Sequence, residues 1–278
     1  MRVPEELEGV SKTMIVEEKI QVRDIKINTR IDGPAGAPWV TFCHSLATNL
    51  TMFDEQAVEL AKNFRVLRYD RRGHGQTDAP GGSYTWDGLI GDVIGLWDEL
   101  GVENSHYVGL SMGGMTGLGL ALQHPERLMS LTACDCRADA PAFFRDMWNA
   151  RQSGVKDQGM ASIVDMTLAT WFTEDRVSKG GKLIDRVQEM ILATHINGYL
   201  GSTDALKELN FKRHLDKLKP RTQFIVGAND GPHPEEMETM HKLVEGSTFN
   251  VIENAAHLSN LEQPEEFNSL IAEFIGNH

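Results

Sequence analysis

A serine flanked by glycines carries the clearest chemical signal in the chain. Gly109-Leu110-Ser111-Met112-Gly113 has the pattern G-x-S-x-G. The residues before it, His106–Leu110, predict a strand, and Met112–Gln123 predicts a helix. In such a strand–turn–helix the serine hydroxyl is held above a sheet, where it can act as a nucleophile. A glycine-rich turn with an idle serine is the alternative, and the flanking strand and helix disfavour it.

A nucleophilic serine needs a general base at neutral pH, and the base needs a group that orients it. On this strand–turn–helix architecture the chain order is serine, acid, histidine. His257 lies on the loop between the predicted strand Thr248–Ile252 and the last predicted helix. That loop can carry an imidazole to a serine above the sheet. We therefore predict His257 as the general base.

Two acidic residues compete to orient this histidine. Asp230 follows the predicted strand Thr222–Val226, and Asp135 follows the predicted strand Leu128–Cys134. Catalytic acids belong on such strand-end loops. The turn-rich loop around Asp230 can hold a carboxylate against an imidazole. We predict Asp230 as the acid and keep Asp135, interpreted as a local polar cap, as the alternative.

The oxyanion of an acyl-transfer reaction needs two fixed N–H donors. The main-chain N–H of Met112, just after the nucleophile, is the first predicted donor. The second is the main-chain N–H of Leu46, on the loop after the predicted strand Trp39–Cys43.

The elements that must position these residues alternate between strand and helix in two parts of the chain. This alternation predicts an α/β fold with a mostly parallel sheet covered on both faces. Residues 137–215 show helical periodicity and no convincing strand, so they predict an inserted helical cap over the sheet. The core domain would then comprise residues 1–136 and 216–278.

The cap contains the candidate substrate contacts. Trp148 and Trp171 could line a cavity beneath it, or pack in its core. If the substrate carries a carboxylate, an acidic protein must attract it through a local cation. Arg137, at the start of the cap, is the first candidate, and Arg151 is the second. An ion pair of either arginine with nearby acids is the alternative.

Composition excludes several function classes. The 27 basic and 40 acidic side chains give a net charge of −13, which disfavours nucleic acid as a partner. Three cysteines exclude a disulfide scaffold. The cysteines of Cys134-x-Cys136 are not accompanied by further cysteines or histidines at zinc spacing, so no metal is expected. The sequence has no glycine-rich nucleotide-binding motif, so no nucleotide is expected either. Glutamates interrupt the first twenty residues, so no secretory signal is predicted. The uncharged stretch Ser105–Pro125 is nearly long enough to span a membrane, but its five glycines and several polar residues favour a strand, turn and helix. We therefore expect a soluble cytoplasmic protein of unspecified oligomeric state.

The chain resembles the α/β-hydrolase family over nearly its full length and, within it, the 3-oxoadipate enol-lactonases. The resemblance is carried by His44-Ser45-Leu46, Met52–Gln56, Asp70–Gly75, Gly109–Gly114, Trp171-Phe172-Thr173 and Gly198-Tyr199-Leu200. It implies an eight-stranded sheet, a helical cap and serine chemistry without a cofactor. Two positions depart from the enol-lactonase pattern: Thr170 stands where arginine is usual, and Ala47 where glycine is usual.

We therefore predict a serine hydrolase that cleaves a small carboxylic ester or lactone through an acyl-enzyme. A C–C bond hydrolase would use the same three residues on a diketone, and this alternative stays open. A non-catalytic binding protein with the same fold is the second alternative, and the presence of Ser111, Asp230 and His257 disfavours it.

Overall fold

An eight-stranded sheet forms the centre of the protein. The computed structural model describes residues 16–276; most of the segment used above to argue against a secretory signal, residues 1–15, lies outside them. The strands are β1 (Val16–Val22), β2 (Ile25–Asp32), β3 (Trp39–Cys43), β4 (Arg65–Tyr69), β5 (Ser105–Leu110), β6 (Leu128–Cys134), β7 (Arg221–Gly227) and β8 (Thr248–Ile252).

The strand order is β1-β2-β4-β3-β5-β6-β7-β8. The pairs β1–β2 and β2–β4 are antiparallel, and every other pair is parallel. The predicted mostly parallel, eight-stranded α/β sheet is therefore confirmed. Because β5, β6, β7 and β8 run the same way, the loops after them meet at one edge of the sheet.

Helices cover the sheet and form the insertion. The helices of the sheet layers are α1 (Asp54–Leu60), α2 (Trp86–Glu99), α3 (Met112–Gln123), α9 (His233–Leu243), α10 (Ser259–Glu262) and α11 (Pro264–Gly276). Between β6 and β7 the chain forms α4 (Ala142–Gln158), α5 (Val164–Trp171), α6 (Glu174–Lys179), α7 (Lys182–Ala193) and α8 (Ile196–Lys207). We call residues 137–215 the cap. Within residues 16–276, each helix is too short or too polar to cross a bilayer.

The cap contacts the core through a close approach of two glycines. A Cβ on Gly198, in α8, would lie 1.9 Å from the carbonyl oxygen of Gly73 in the loop after β4. Any larger side chain at Gly198 would push the cap away from this loop. The next residue, Tyr199, is buried. The Gly198-Tyr199-Leu200 segment therefore has a packing role where cap and core meet.

Candidate active site

Ser111 occupies the tight turn between β5 and α3. Its φ of 56° and ψ of −118° lie in a region that non-glycine residues rarely adopt. The flanking glycines permit this turn, because a Cβ on Gly109 would lie 2.2 Å from the Gly113 oxygen and one on Gly113 would lie 2.0 Å from the Cys43 oxygen. The G-x-S-x-G pattern thus gives the close contact of strand and helix that presents the serine at the sheet edge.

Ser111, His257 and Asp230 form a continuous hydrogen-bonded chain. Ser111 Oγ lies 2.8 Å from His257 Nε2, and His257 Nδ1 lies 2.9 Å from Asp230 Oδ2. All three side chains are buried. The loops that carry Asp230 and His257 touch at Gly227, where a Cβ would lie 2.2 Å from the Ala256 oxygen. The structure therefore brings together the three residues that the sequence singled out from separate strand ends.

The electrostatics favour an ionised Asp230. Burial opposes its ionisation, but His257 and His233 more than offset that effect and lower the pKa of Asp230. His233 lies on the other side of the carboxylate, with Nδ1 3.3 Å from Asp230 Oδ1. A carboxylate that stays ionised can orient His257 and stabilise a positive charge on it.

Asp135, the alternative acid, lies behind the Asp230–His257 pair and does not contact the imidazole. Its Oδ1 accepts the Gly227 N–H at 2.8 Å, and its Oδ2 lies 2.5 Å from Ser259 Oγ. Complete burial, followed by the charge of Asp230, raises the pKa of Asp135 well above its usual value. Asp135 thus connects the loop of Asp230 to the helix that follows His257.

The predicted oxyanion donors lie on the turns next to Ser111. Leu46 lines the same cavity as Ser111, and Met112 is the first residue of α3. Ala47 adopts a φ of 55°, a value that favours glycine. Ala47, which stands where glycine is usual, therefore still has the backbone conformation that glycine would adopt without strain.

A mostly apolar cavity of about 120 Å³ lies between the cap and the sheet edge. Ser111 and His257 form part of its floor, and the predicted contacts Trp148 and Trp171 both line it. The Trp171 ring stacks on His257 with the ring centroids 6.2 Å apart. The apolar part of the wall comprises Leu46, Met115, Phe144, Met147, Ile163 and Leu206. Such walls suit a small molecule with few polar groups.

The arginine in this cavity is Arg151, and the prediction that Arg137 contacts substrate is wrong. Arg137 Nη2 lies 2.9 Å from Glu236 Oε1, and its Nε donates to the Asp139 carbonyl at 2.8 Å. Its guanidinium also lies 4.3 Å from the centroid of the Phe144 ring. Arg137 is therefore a buried structural tie outside the cavity, because an acid distant in sequence takes up its charge.

Arg151 lines the cavity from α4 and lies 5.0 Å over the Trp148 ring. Its Nε is buried and has no hydrogen-bond partner among residues 16–276. Burial lowers the pKa of Arg151, with a smaller opposing effect from Tyr199. A partly desolvated guanidinium without a carboxylate partner is suited to bind an anion.

Glu262 and Thr173 hold the histidine loop against the cap, which the sequence analysis missed. Glu262 accepts the Ala256 N–H at 2.7 Å and the Thr173 hydroxyl at 2.7 Å. The Leu258 N–H donates to the Trp171 oxygen at 3.1 Å. Both neighbours of His257 are therefore connected to the Trp171-Phe172-Thr173 segment, Leu258 directly and Ala256 through Glu262. The pattern had pointed to this segment, but the buried glutamate has no local signal.

Within the described part of the chain, one group of metal-ligand side chains comes close enough to share an ion. It comprises Asp230, His233 and His257, whose ligand atoms lie within 4.8 Å of one another. Both imidazole Nδ1 atoms already face the Asp230 carboxylate. This arrangement satisfies the carboxylate without a cation, and we assign no metal to it.

Comparison with known proteins gives consistent matches. A family model described as the alpha/beta hydrolase fold matches residues 38–264. Two 3-oxoadipate enol-lactonases of Acinetobacter baylyi are similar to the chain. The first is 33% identical over 90% of this chain and 92% of the relative, and the second 30% over 92% and 95%. The crystal structure of the enol-lactonase from Burkholderia xenovorans LB400 has a TM-score of 0.90 at 30% identity and covers 94% of this chain and 100% of that one.

Proposed function

The chain belongs to the α/β-hydrolase family and is a hydrolase of ester bonds, and on that premise we propose that it cleaves a small lactone or carboxylic ester through an acyl-enzyme on Ser111. The observation that carries the proposal is the chain of hydrogen bonds from Ser111 Oγ through His257 to Asp230, at 2.8 and 2.9 Å. A serine and a base within hydrogen-bond reach, with an acid that orients the base, are the requirements for an activated nucleophile.

Acylation begins with attack of Ser111 Oγ on the substrate carbonyl. His257 Nε2 takes the serine proton, and Asp230 stabilises the imidazolium that forms. The N–H groups of Leu46 and Met112 stabilise the oxyanion. When the intermediate collapses, His257 returns the proton to the leaving oxygen. In a lactone this oxygen stays attached to the acyl chain, so the ring opens and the whole substrate remains on the serine.

Deacylation repeats these steps with water as the nucleophile. His257 removes a proton from the water, the hydroxyl attacks the acyl carbon, and Ser111 leaves with the proton from His257. The net reaction adds one water to the ester bond and gives a carboxylic acid and a hydroxyl group. Trp171, stacked on the imidazole, lines the cavity beside this reaction centre.

The similarity to enol-lactonases supports an enol-lactone with a free carboxylate as the substrate. Thr170, which lines the cavity, replaces the arginine usual there in that group. Arg151 lines the same cavity and can supply the cation that this position lacks. In this proposal, Trp148 and Trp171 contact the apolar part of the substrate, and Arg151 binds its carboxylate.

Arg151→Met is expected to raise KM for a carboxylate-bearing lactone tenfold to a hundredfold. The variant loses a charged hydrogen bond of about 1.5–3 kcal/mol, and the methionine keeps the packing on Trp148. KM for a neutral ester of similar size should change less than threefold. Steady-state kinetics on both substrates measure the difference.

Arg145→Met is the matched control, because Arg145 is an exposed arginine of the same helix and does not line the cavity. It removes the same net charge and should leave both KM values unchanged. Equal losses on both substrates in Arg151→Met would show that Arg151 supports the cap rather than binding an anion.

A substrate panel with covalent labelling tests the proposed function. A fluorophosphonate should add one group per chain, and peptide mass spectrometry should place it on Ser111. Among lactones, aryl esters and vinylogous diketones, lactones or esters should be cleaved with the highest kcat/KM. Preferential cleavage of the diketone would instead identify a C–C bond hydrolase, and absence of labelling would contradict the serine mechanism.

A further inference from the structure

His233 is a second imidazole at the Asp230 carboxylate. Its Nδ1 lies 3.3 Å from Asp230 Oδ1 and 3.2 Å from the Asp230 main-chain oxygen. His257 occupies the other carboxylate oxygen, Oδ2, at 2.9 Å. Since both oxygens near Nδ1 of His233 are acceptors, this nitrogen carries the proton of the neutral ring. Nε2 is therefore the atom that gains a proton when His233 becomes charged.

The local sequence fixes the His233 ring in this place. His233 begins helix α9 three residues after Asp230, and it stands between Pro232 and Pro234. The two prolines restrict the backbone on both sides. The side chain is only 17% exposed, and its ring centroid lies 5.3 Å from that of His257. His233 also lines the cavity.

The charged groups around His233 favour its cationic form. Burial opposes protonation, but Asp230 and, more weakly, Glu236 raise the pKa of His233 above its usual value. Other charged or titratable groups near this site are His257, which shares the same carboxylate, Asp135, which lies behind the Asp230–His257 pair, and Arg151, which lines the same cavity. Protonation of His233 therefore begins at a higher pH than for an isolated histidine.

We propose that His233 is a positioning residue that holds Asp230 for His257 and, when it takes up a proton, slows hydrolysis at acidic pH. The inference rests on the proposed serine mechanism. The neutral ring fixes the carboxylate by donating to Oδ1, which keeps Oδ2 directed at His257. His233 has no hydrogen bond to Ser111 Oγ or His257 Nε2, so it acts on the reaction through the Asp230 carboxylate and through the charge of its own ring.

The sign of the pH effect follows from the charge that develops during the reaction. His257 becomes an imidazolium in the transition state, and Asp230 stabilises it. A proton on His233 offsets the charge of the same ionised carboxylate and places a second positive charge on a ring whose centroid lies 5.3 Å from that of His257. Activity is therefore full above the pKa of His233 and falls as the pH decreases through it.

Two substitutions of His233 separate its role in holding the Asp230 carboxylate from the effect of its own positive charge. His233→Asn keeps an N–H donor near the position of Nδ1 but cannot be protonated. On a neutral ester, its acid limb of kcat should lie at least about half a pH unit below that of the wild type, with kcat at pH 8 within threefold. His233→Ala loses the donor, so kcat at pH 8 should fall about three- to tenfold with KM little changed.

His241→Asn is the matched control, because His241 lies on the same helix and bonds to Ser247 instead. It should leave the pH profile unchanged. A wild-type acid limb in His233→Asn, or wild-type kcat in His233→Ala, would overturn the proposal. Rescue of kcat by asparagine but not alanine is a result that a purely structural role would not give.

An NMR titration tests the same proposal without turnover. In the wild type, the His233 imidazole should titrate above the ordinary histidine value. Asp230→Asn removes the charge that favours protonation, so the His233 midpoint should fall by about one pH unit or more. An unchanged His233 midpoint would refute the proposal. Lack of Ser111-dependent turnover would instead contradict the proposed function, which this titration does not require.

Discussion

Ser111→Ala is expected to lower kcat by on the order of 10⁴–10⁶ on a lactone or ester, because it removes the atom that becomes acylated. The remaining rate comes from substrate binding and from the N–H groups of Leu46 and Met112. KM should change little, since the apolar cavity wall is intact. The measurement is kcat at saturating substrate, with labelling by a fluorophosphonate as a second readout that should disappear.

Folding must be unchanged for this result to report on chemistry. Alanine has no glycine-like freedom, so it keeps the strain of a φ of 56° at position 111 without adding to it. The unfolding temperature should stay within about 2 °C of the wild type. Ser162→Ala, at an exposed cap serine, should retain full activity. Turnover within tenfold of the wild type in Ser111→Ala would refute the acyl-enzyme mechanism.

The sheet was predictable because its signals are local. The segments Trp39–Cys43, Leu128–Cys134 and Thr248–Ile252 coincide with strands β3, β6 and β8. Short apolar runs bounded by turn residues predict buried strands, and the helical periodicity of the cap likewise lies within each helix. The glycines around Ser111 could be interpreted for the same reason, since the turn that needs them is five residues long.

Residues that pair across long sequence separations were not predictable. Arg137 and Glu236 are 99 residues apart, and the ion pair that removes Arg137 from the cavity leaves no local pattern. Thr173 and Glu262, at a separation of 89 residues, are a second case. Arg151 was only the second candidate because its position on α4 does not reveal which face of the helix turns inward. Three-dimensional packing determines which charge is neutralised and which remains free.

Asp230→Asn should lower kcat by about 10³–10⁴, because Asp230, and not Asp135, is the acid that orients His257. If the asparagine amide donates to His257 Nδ1, the proton of the neutral ring moves to Nε2, which then cannot accept the Ser111 proton. If the amide turns away, His257 loses its orienting contact. In both cases the asparagine carries no charge to stabilise the imidazolium. Although burial opposes its ionisation, the His257 and His233 rings lower the pKa of the Asp230 carboxyl, so the wild-type side chain is ionised and supplies that charge at pH 8. Kinetics of the purified variant at pH 8 measure the loss.

Asp135→Asn should cost less than about tenfold in kcat, although this residue is the more deeply buried acid. Its raised pKa favours a neutral carboxyl group, and asparagine has nearly the same shape as a protonated aspartate. The amide oxygen can still accept the Gly227 N–H, and the amide nitrogen can donate to Ser259 Oγ. A larger loss in Asp135→Asn than in Asp230→Asn would assign the catalytic acid to the loop after β6. The expected ranking follows from the contacts of the two acids. Asp230 bonds to the His257 imidazole, whereas Asp135 bonds to Gly227 and Ser259.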